Sequence, residues 1–194
     1  MKILAVSDVE EPLLDAESKR VSGIDLIISC GDLNESYLSY LSTVFGAPLF
    51  YVRGNHDQAI TPCMSLGENL HDRLVKYRNL KMLGFEGVLD YTTQSVVQYS
   101  EFELNWMIRK FYIKAFFRGK PNIIVTHAPP QGLHEGSDYA HRGPKAFRKL
   151  IDHFQPEYFL HGHTHLNYQR NLPRITQVGA TKVVNVYGYY VFEI

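Results

Sequence analysis

The sequence predicts an α/β fold in one domain, with two sheets packed together. Three observations lead there. Short apolar runs alternate with longer amphipathic stretches in β-α-β-α-β order, which implies a parallel sheet with crossover helices. Five short motifs that carry Asp, Asn or His follow directly on such runs. The tail breaks into short alternating pieces that read as antiparallel strands. With 194 residues, 45% of them hydrophobic and 21% charged, the chain is large enough to bury a core without staples.

The elements can be justified in order. Residues 3–7, 26–30 and 49–52 are apolar runs of the kind buried on both faces of a parallel sheet. Residues 13–21 and 35–45 between them read as helices. Residues 81–85 form the next strand. Residues 101–118 read as a long helix, with Ser100 as N-cap and Gly119-Lys120-Pro121 as the stop. Its aromatic residues Phe102, Trp106, Phe111, Tyr112, Phe116 and Phe117 are expected to form one wide core face, with a subunit interface or a substrate-channel wall as the alternative. Residues 122–126 are another buried strand, followed by a loop holding Pro129, Pro130, Gly132 and Gly136. Residues 144–154 read as a helix, with Pro144 suited to its first turn. Strands are expected at 158–161, 167–172, 175–178, 182–185 and 189–194.

Composition narrows the function. Lys plus Arg and Asp plus Glu number 20 each, so the net charge is zero. A groove that neutralises many phosphates needs a basic face, so nucleic acid is not an expected partner. A small phosphate-containing ligand remains compatible. The two cysteines, Cys30 and Cys63, have neither disulfide-framework nor zinc-ribbon spacing. The apolar run at 3–6 is too short for a signal peptide, and no segment approaches a membrane span. A cytoplasmic protein without a membrane partner is expected, and the oligomeric state stays open.

The motif residues are Asp8, Gly31-Asp32, Gly54-Asn55-His56-Asp57, His127 and Gly162-His163-Thr164-His165. Residues just past the ends of parallel strands converge on one edge of a sheet. Carboxylates, an amide oxygen and imidazoles gathered there suit divalent metals. Asp32 is a natural bridge, because one carboxylate has two oxygens. Two metals roughly 3.5–4 Å apart clamp a phosphoryl group and generate a hydroxide at neutral pH. His56 is placed to assist the leaving oxygen, with Asp57 as a candidate to orient its ring.

In this order the motifs resemble those of the calcineurin-like metallophosphoesterases: D-x-H, G-D, G-N-H-[DE], H and G-H-x-H. The match runs nearly the length of the chain. The resemblance implies a four-layer α-β-β-α sandwich with two central mixed sheets. It implies a dinuclear-metal phosphohydrolase, with metal-bound hydroxide attacking phosphorus and His56 as the catalytic histidine. One metal would take Asp8, position 10, Asp32 and His165; the other would take Asp32, Asn55, His127 and His163. Position 10 departs from the pattern, with Glu10 where the family has histidine. If Glu10 ligates, the centre is one charge less positive. The bound water should then ionise at higher pH, and Mn²⁺ should be favoured, with Fe²⁺, Zn²⁺ or Ni²⁺ as alternatives. The other possibility is that Glu10 points away.

One branch of the family also shares the pattern of His127, Pro129, Pro130, Gly132, Asp138, His141 and Gly143. Arg53, His141 and Arg142 are candidate substrate-binding residues. Arg142 and Lys145 would act together with a helix N-terminus; the alternative is ordinary loop charge. A small phosphodiester is the expected substrate class. The alternatives are a phosphomonoesterase, a nuclease, or a scaffold that has kept the fold without catalysis.

Overall fold

The structure is a computed structural model that describes residues 1–12, 14, 21–57, 67–92, 97–167 and 172–194. In chain order its elements are β1 (Lys2–Ser7), β2 (Leu26–Ser29), α1 (Glu35–Phe45), β3 (Leu49–Tyr51), β4 (Glu68–Asn69), β5 (Arg73–Tyr77), β6 (Leu80–Phe85), β7 (Val88–Leu89), β8 (Gln98–Tyr99), α2 (Glu101–Arg118), β9 (Ile123–Thr126), α3 (Lys145–Phe154), β10 (Tyr158–His161), β11 (Ile175–Val178), β12 (Thr181–Asn185) and β13 (Gly188–Glu193).

Two mixed sheets form the centre. One has the order β13-β1-β2-β3-β4, parallel except for β13; the other has the order β11-β12-β10-β9-β6-β5, with β11 and β5 antiparallel at its edges. Side-chain alternation then sorts the core into three layers. Ile3 and Ala5 of β1 meet Ile123 and Val125 of β9 between the sheets. Leu4 and Val6 point the other way and pack with Leu38 and Leu41 of α1. Ile124 of β9 and Phe159 of β10 face α2 and α3, against Leu104, Ile108, Phe111, Phe147 and Leu150. Three cores separating four layers make an α-β-β-α sandwich.

Several elements differ from the sequence expectation. β4, β5, β7 and β8 lie outside it. β5 is an edge strand with two cations among its five residues, and the other three of these strands are two residues long. The helix expected at 13–21 and the strand expected at 167–172 fall mostly outside the described residues. The aromatic helix is corrected: Leu104, Ile108 and Phe111 are buried, but Phe102, Trp106, Phe116 and Phe117 are exposed. Helical spacing places the second set about 200° from the first, so one core cannot take both.

Candidate metal centre

Each motif leaves the C-terminal end of a parallel strand, and the two sheets present those ends to each other. Asp8 follows β1, Asp32 follows β2 and Asn55 follows β3 in one sheet; His127 follows β9 and His163 follows β10 in the other. Cross-sheet bonds close the site. The backbone N–H of His163 donates to both Asp8 oxygens, at 3.0 and 3.1 Å. His127 Nδ1 donates to the Cys30 carbonyl at 2.7 Å.

The turns that carry these candidate ligands use left-handed backbone. Asp8, Asp32 and His163 have φ of 64°, 56° and 65°, in the left-handed region that side chains other than Gly, Asn and Asp seldom enter. Glycines make room for them. A Cβ on Gly54 would lie 2.0 Å from Asp32 Oδ1, and one on Gly162 would lie 2.5 Å from Asp8 Oδ2.

Bonding fixes the ligand atoms. A carbonyl only accepts, so Nδ1 of His127 carries a hydrogen and its Nε2 faces the interior. That Nε2 is 3.1 Å from Asn55 Oδ1 and 3.3 Å from Asp32 Oδ2. Three electron-rich atoms therefore converge, and only a cation between them or a proton on Nε2 reconciles them. Ligand atoms of Asp8, Asp32 and His127 all lie within 4.8 Å of one another, a group able to hold a metal ion. The donor set of carboxylate, amide oxygen and imidazole fits a divalent ion. Burial alone would lower His127, but the Asp32 carboxylate overrides it and lifts the imidazole to about 9. Burial would likewise raise Asp32, but His127 holds it well below the usual carboxylate range.

His163 donates Nε2–H to the Ala140 carbonyl at 2.9 Å, which leaves Nδ1 as its lone-pair nitrogen. Burial, reinforced by the charge of His127, pushes it down to about 3, so it is neutral. Its ring centroid is 5.0 Å from that of His127. His165 Nε2 lies 3.7 Å from Asp8 Oδ1, and its ring packs on Tyr187.

The remaining predicted residues divide. His56 is exposed beside the centre and donates its backbone N–H to Asp32 Oδ1 at 2.9 Å. Asp57 bonds backbone instead of the His56 ring: its Oδ2 accepts from Asp32 N at 2.9 Å and Gly54 N at 2.8 Å, tying two ligand loops together. Glu10 is exposed and accepts from Asn34 Nδ2 at 2.6 Å; it is not in the Asp8, Asp32 and His127 group. Arg53 is held by Glu86 in a two-pronged ion pair at 2.8 and 2.7 Å. His141 stacks on His163 at 4.8 Å, its Nδ1 on Asp138 at 2.8 Å. Arg142 lies over the Tyr139 ring. The expected phosphate seat at the start of α3 is taken: the N–H groups of Lys145 and Ala146 donate to the Glu101 carboxylate.

Sequence reasoning missed three supports. Tyr91 Oη accepts from Asn55 Nδ2 at 3.2 Å. Asn185, buried at the end of β12, donates to the Thr164 carbonyl at 2.7 Å and steadies the histidine loop. Glu86, buried at the end of β6, holds Arg53. Asn185 and Glu86 obey the same strand-end rule as the motifs, so their positions carried a signal. Tyr91 carried none.

The family model described as calcineurin-like phosphoesterase matches residues 1–167. Among solved structures, the protein TT1561 of Thermus thermophilus is similar in fold: 15% identity, TM-score 0.63, covering 96% of this chain and 89% of that one. A single mutant of Vps29 from Entamoeba histolytica covers 100% of this chain and 86% of its own at 13% identity and TM-score 0.52. No curated protein matches. No helix among the described residues is long and apolar enough to cross a membrane.

Proposed function

The chain belongs to the calcineurin-like phosphoesterase family, and from that premise we propose that it is a dinuclear-metal phosphodiesterase acting on a small phosphoester. The observation that carries this reading is the convergence of His127 Nε2, Asn55 Oδ1 and Asp32 Oδ2, both oxygens within 3.3 Å of the imidazole nitrogen. Asp32, Asn55, His127 and His163 through Nδ1 would hold one ion; Asp8, Asp32 and His165 would hold the other. Mn²⁺ is the proposed metal, with Fe²⁺, Zn²⁺ or Ni²⁺ as alternatives. When bound, such ions polarise a phosphoryl oxygen and activate water.

The chain's own groups supply the rest. Asp32 is held by the His56 N–H on one oxygen while the other faces His127, which suits a shared ligand. His56 stands exposed at the rim, where its ring can give a proton to the departing oxygen. His141 is oriented by Asp138 through Nδ1, which leaves Nε2 for a substrate oxygen.

The test is to strip the protein, reload it with Mn²⁺, Fe²⁺, Zn²⁺ or Ni²⁺, and assay bis-p-nitrophenyl phosphate beside p-nitrophenyl phosphate. Diester turnover that disappears in His56→Ala, with metal content retained, supports the proposal. A protein that retains no metal and turns over neither ester overturns it in favour of a scaffold. Turnover of the monoester alone overturns the diesterase assignment.

A further inference from the structure

The outer face of α2 carries five of the ten exposed large hydrophobic side chains among the described residues. Phe102, Trp106, Ile113, Phe116 and Phe117 are 78%, 67%, 67%, 86% and 79% exposed. The opposite face already packs on α3 and the second sheet through Leu104, Ile108 and Phe111. A helix apolar on both sides is built to be covered on both sides. The five side chains together expose on the order of 700 Å². That exceeds the ~300–600 Å² patch of a typical monomer and is close to the ~800 Å² each partner gives to a standard interface.

We propose that a second copy of this chain covers this face, pairing α2 with α2 antiparallel about a two-fold axis near Arg109. Phe102, Trp106, Arg109, Ile113 and Phe116 follow one another at intervals of four, three, four and three, the seam of a two-helix pair. Antiparallel pairing sets Phe102 against Phe116 of the other copy, and Trp106 against Ile113. Shape supports the same occupant. One end of the face has a hollow of about 290 Å³ lined by Tyr99, Phe102, Glu103, Trp106 and Met107. The other end carries projecting knobs, Phe116 and Phe117, packed edge to face at 5.3 Å. Two-fold symmetry delivers the knobs of each copy to the hollow of the other. Charge agrees at the two ends of the face, while the axis brings the Arg109 side chains of the two copies together. Exposed Glu103 lies at the hollow end, and exposed Lys114, Arg118 and Lys120 lie at the knob end. The antiparallel pair joins opposite signs, whereas a parallel pair would join like signs.

Sedimentation velocity on the full chain tests this. The expected species has twice the 22.3 kDa chain mass at micromolar concentration. Trp106→Glu combined with Phe116→Glu should weaken association about 30-fold or more, with circular dichroism unchanged. Lys114→Glu should weaken the dimer, because it sets a second carboxylate against Glu103 of the other copy, and Lys114→Gln should weaken it less. In a Cys63→Ser background, Arg109→Cys should oxidise to a disulfide-linked dimer. A monomer at every concentration overturns the proposal, as does a dimer indifferent to these changes. A monomer that instead sediments with phosphatidylserine vesicles also overturns it and assigns the face to a lipid surface.

Discussion

Asn55 donates its side-chain N–H to Tyr91 Oη at 3.2 Å, and that bond decides which end of the amide faces His127. With the amino group held on Tyr91, Oδ1 is turned toward Nε2 of His127 at 3.1 Å. Without it, the amide loses a bond that keeps Oδ1, and not Nδ2, turned toward the imidazole. Tyr91→Phe is therefore expected to weaken metal binding about 10- to 100-fold, the usual cost of losing a group that orients a ligand. Calorimetric titration of the stripped protein with Mn²⁺ reads this directly. Unchanged affinity would show that the amide is oriented by other means.

Asp57 should behave as a backbone tie. Its Oδ2 serves the N–H groups of both Asp32 and Gly54. Burial pushes its carboxyl up even so. Asp57→Ala leaves two N–H groups without that acceptor and should lower unfolding stability by about 2–3 kcal/mol. Asp57→Asn keeps an acceptor oxygen and should cost less than half as much. Urea unfolding compares them. A role in tuning the His56 ring would instead show as a shifted pH–rate profile at unchanged stability.

Gly54→Ala should abolish metal binding in a protein that still folds. The added methyl meets Asp32 Oδ1 at 2.0 Å and His127 Cε1 at 2.7 Å, so the ligand loop must move. The strain should also cost on the order of 1–3 kcal/mol. Metal analysis after gel filtration, together with a thermal melt, gives both numbers.

The buried pair His134 and His161 predicts acid sensitivity. His134 Nδ1 and His161 Nε2 are 2.8 Å apart, and Thr176 Oγ1 completes the chain at 2.8 Å. Burial pushes His134 from 6.5 down to about 4, and pushes His161 well below its ordinary range. Below pH 6.5 the unfolded chain therefore binds protons that the folded chain refuses. Stability is fully present above that pH and is lost as pH falls toward 4, at roughly 1 kcal/mol per pH unit for each imidazole. His134→Gln should flatten the slope between pH 6.5 and 4 in urea unfolding. An unaltered slope would place the acid sensitivity elsewhere.

Glu10 accepts from Asn34 Nδ2 and is not in the Asp8, Asp32 and His127 group. Glu10→Gln should accordingly leave metal stoichiometry and Mn²⁺ affinity unchanged within about two-fold, since an exposed hydrogen bond contributes little. Glu10→His restores the family pattern and should tighten the site that includes Asp8 and His165. A marked loss of affinity in Glu10→Gln would show that the glutamate does swing onto metal.

Much of this was legible because strand ends and ligands coincide. The buried runs at β1, β2, β3, β9 and β10 are visible in the sequence as apolar stretches, and topology alone brings Asp8, Asp32, Asn55, His127 and His163 together. Side-chain partnerships were not legible. Whether Arg53 meets a phosphate or Glu86, and whether Asp57 meets a ring or two N–H groups, depends on distances between residues far apart in the chain. The Phe and Trp positions of α2 were misread for a similar reason. Composition shows that a helix is rich in aromatics, but not how many of its sides have a neighbour within the same molecule.

The left-handed backbone at Asp8, Asp32 and His163 also bears on engineering. Each such residue costs of order 1 kcal/mol or more relative to a relaxed conformation. Glycine would relieve that cost but would delete a candidate ligand and, at Asp8 and Asp32, leave the His163 and His56 N–H groups without their acceptors. A library screened only for heat resistance should therefore hold Asp8 and Asp32, whose carboxylates accept backbone N–H groups, and drift toward glycine only at His163. Retention of His163 in a lineage is thus a mark of selection for chemistry over robustness, readable without any assay.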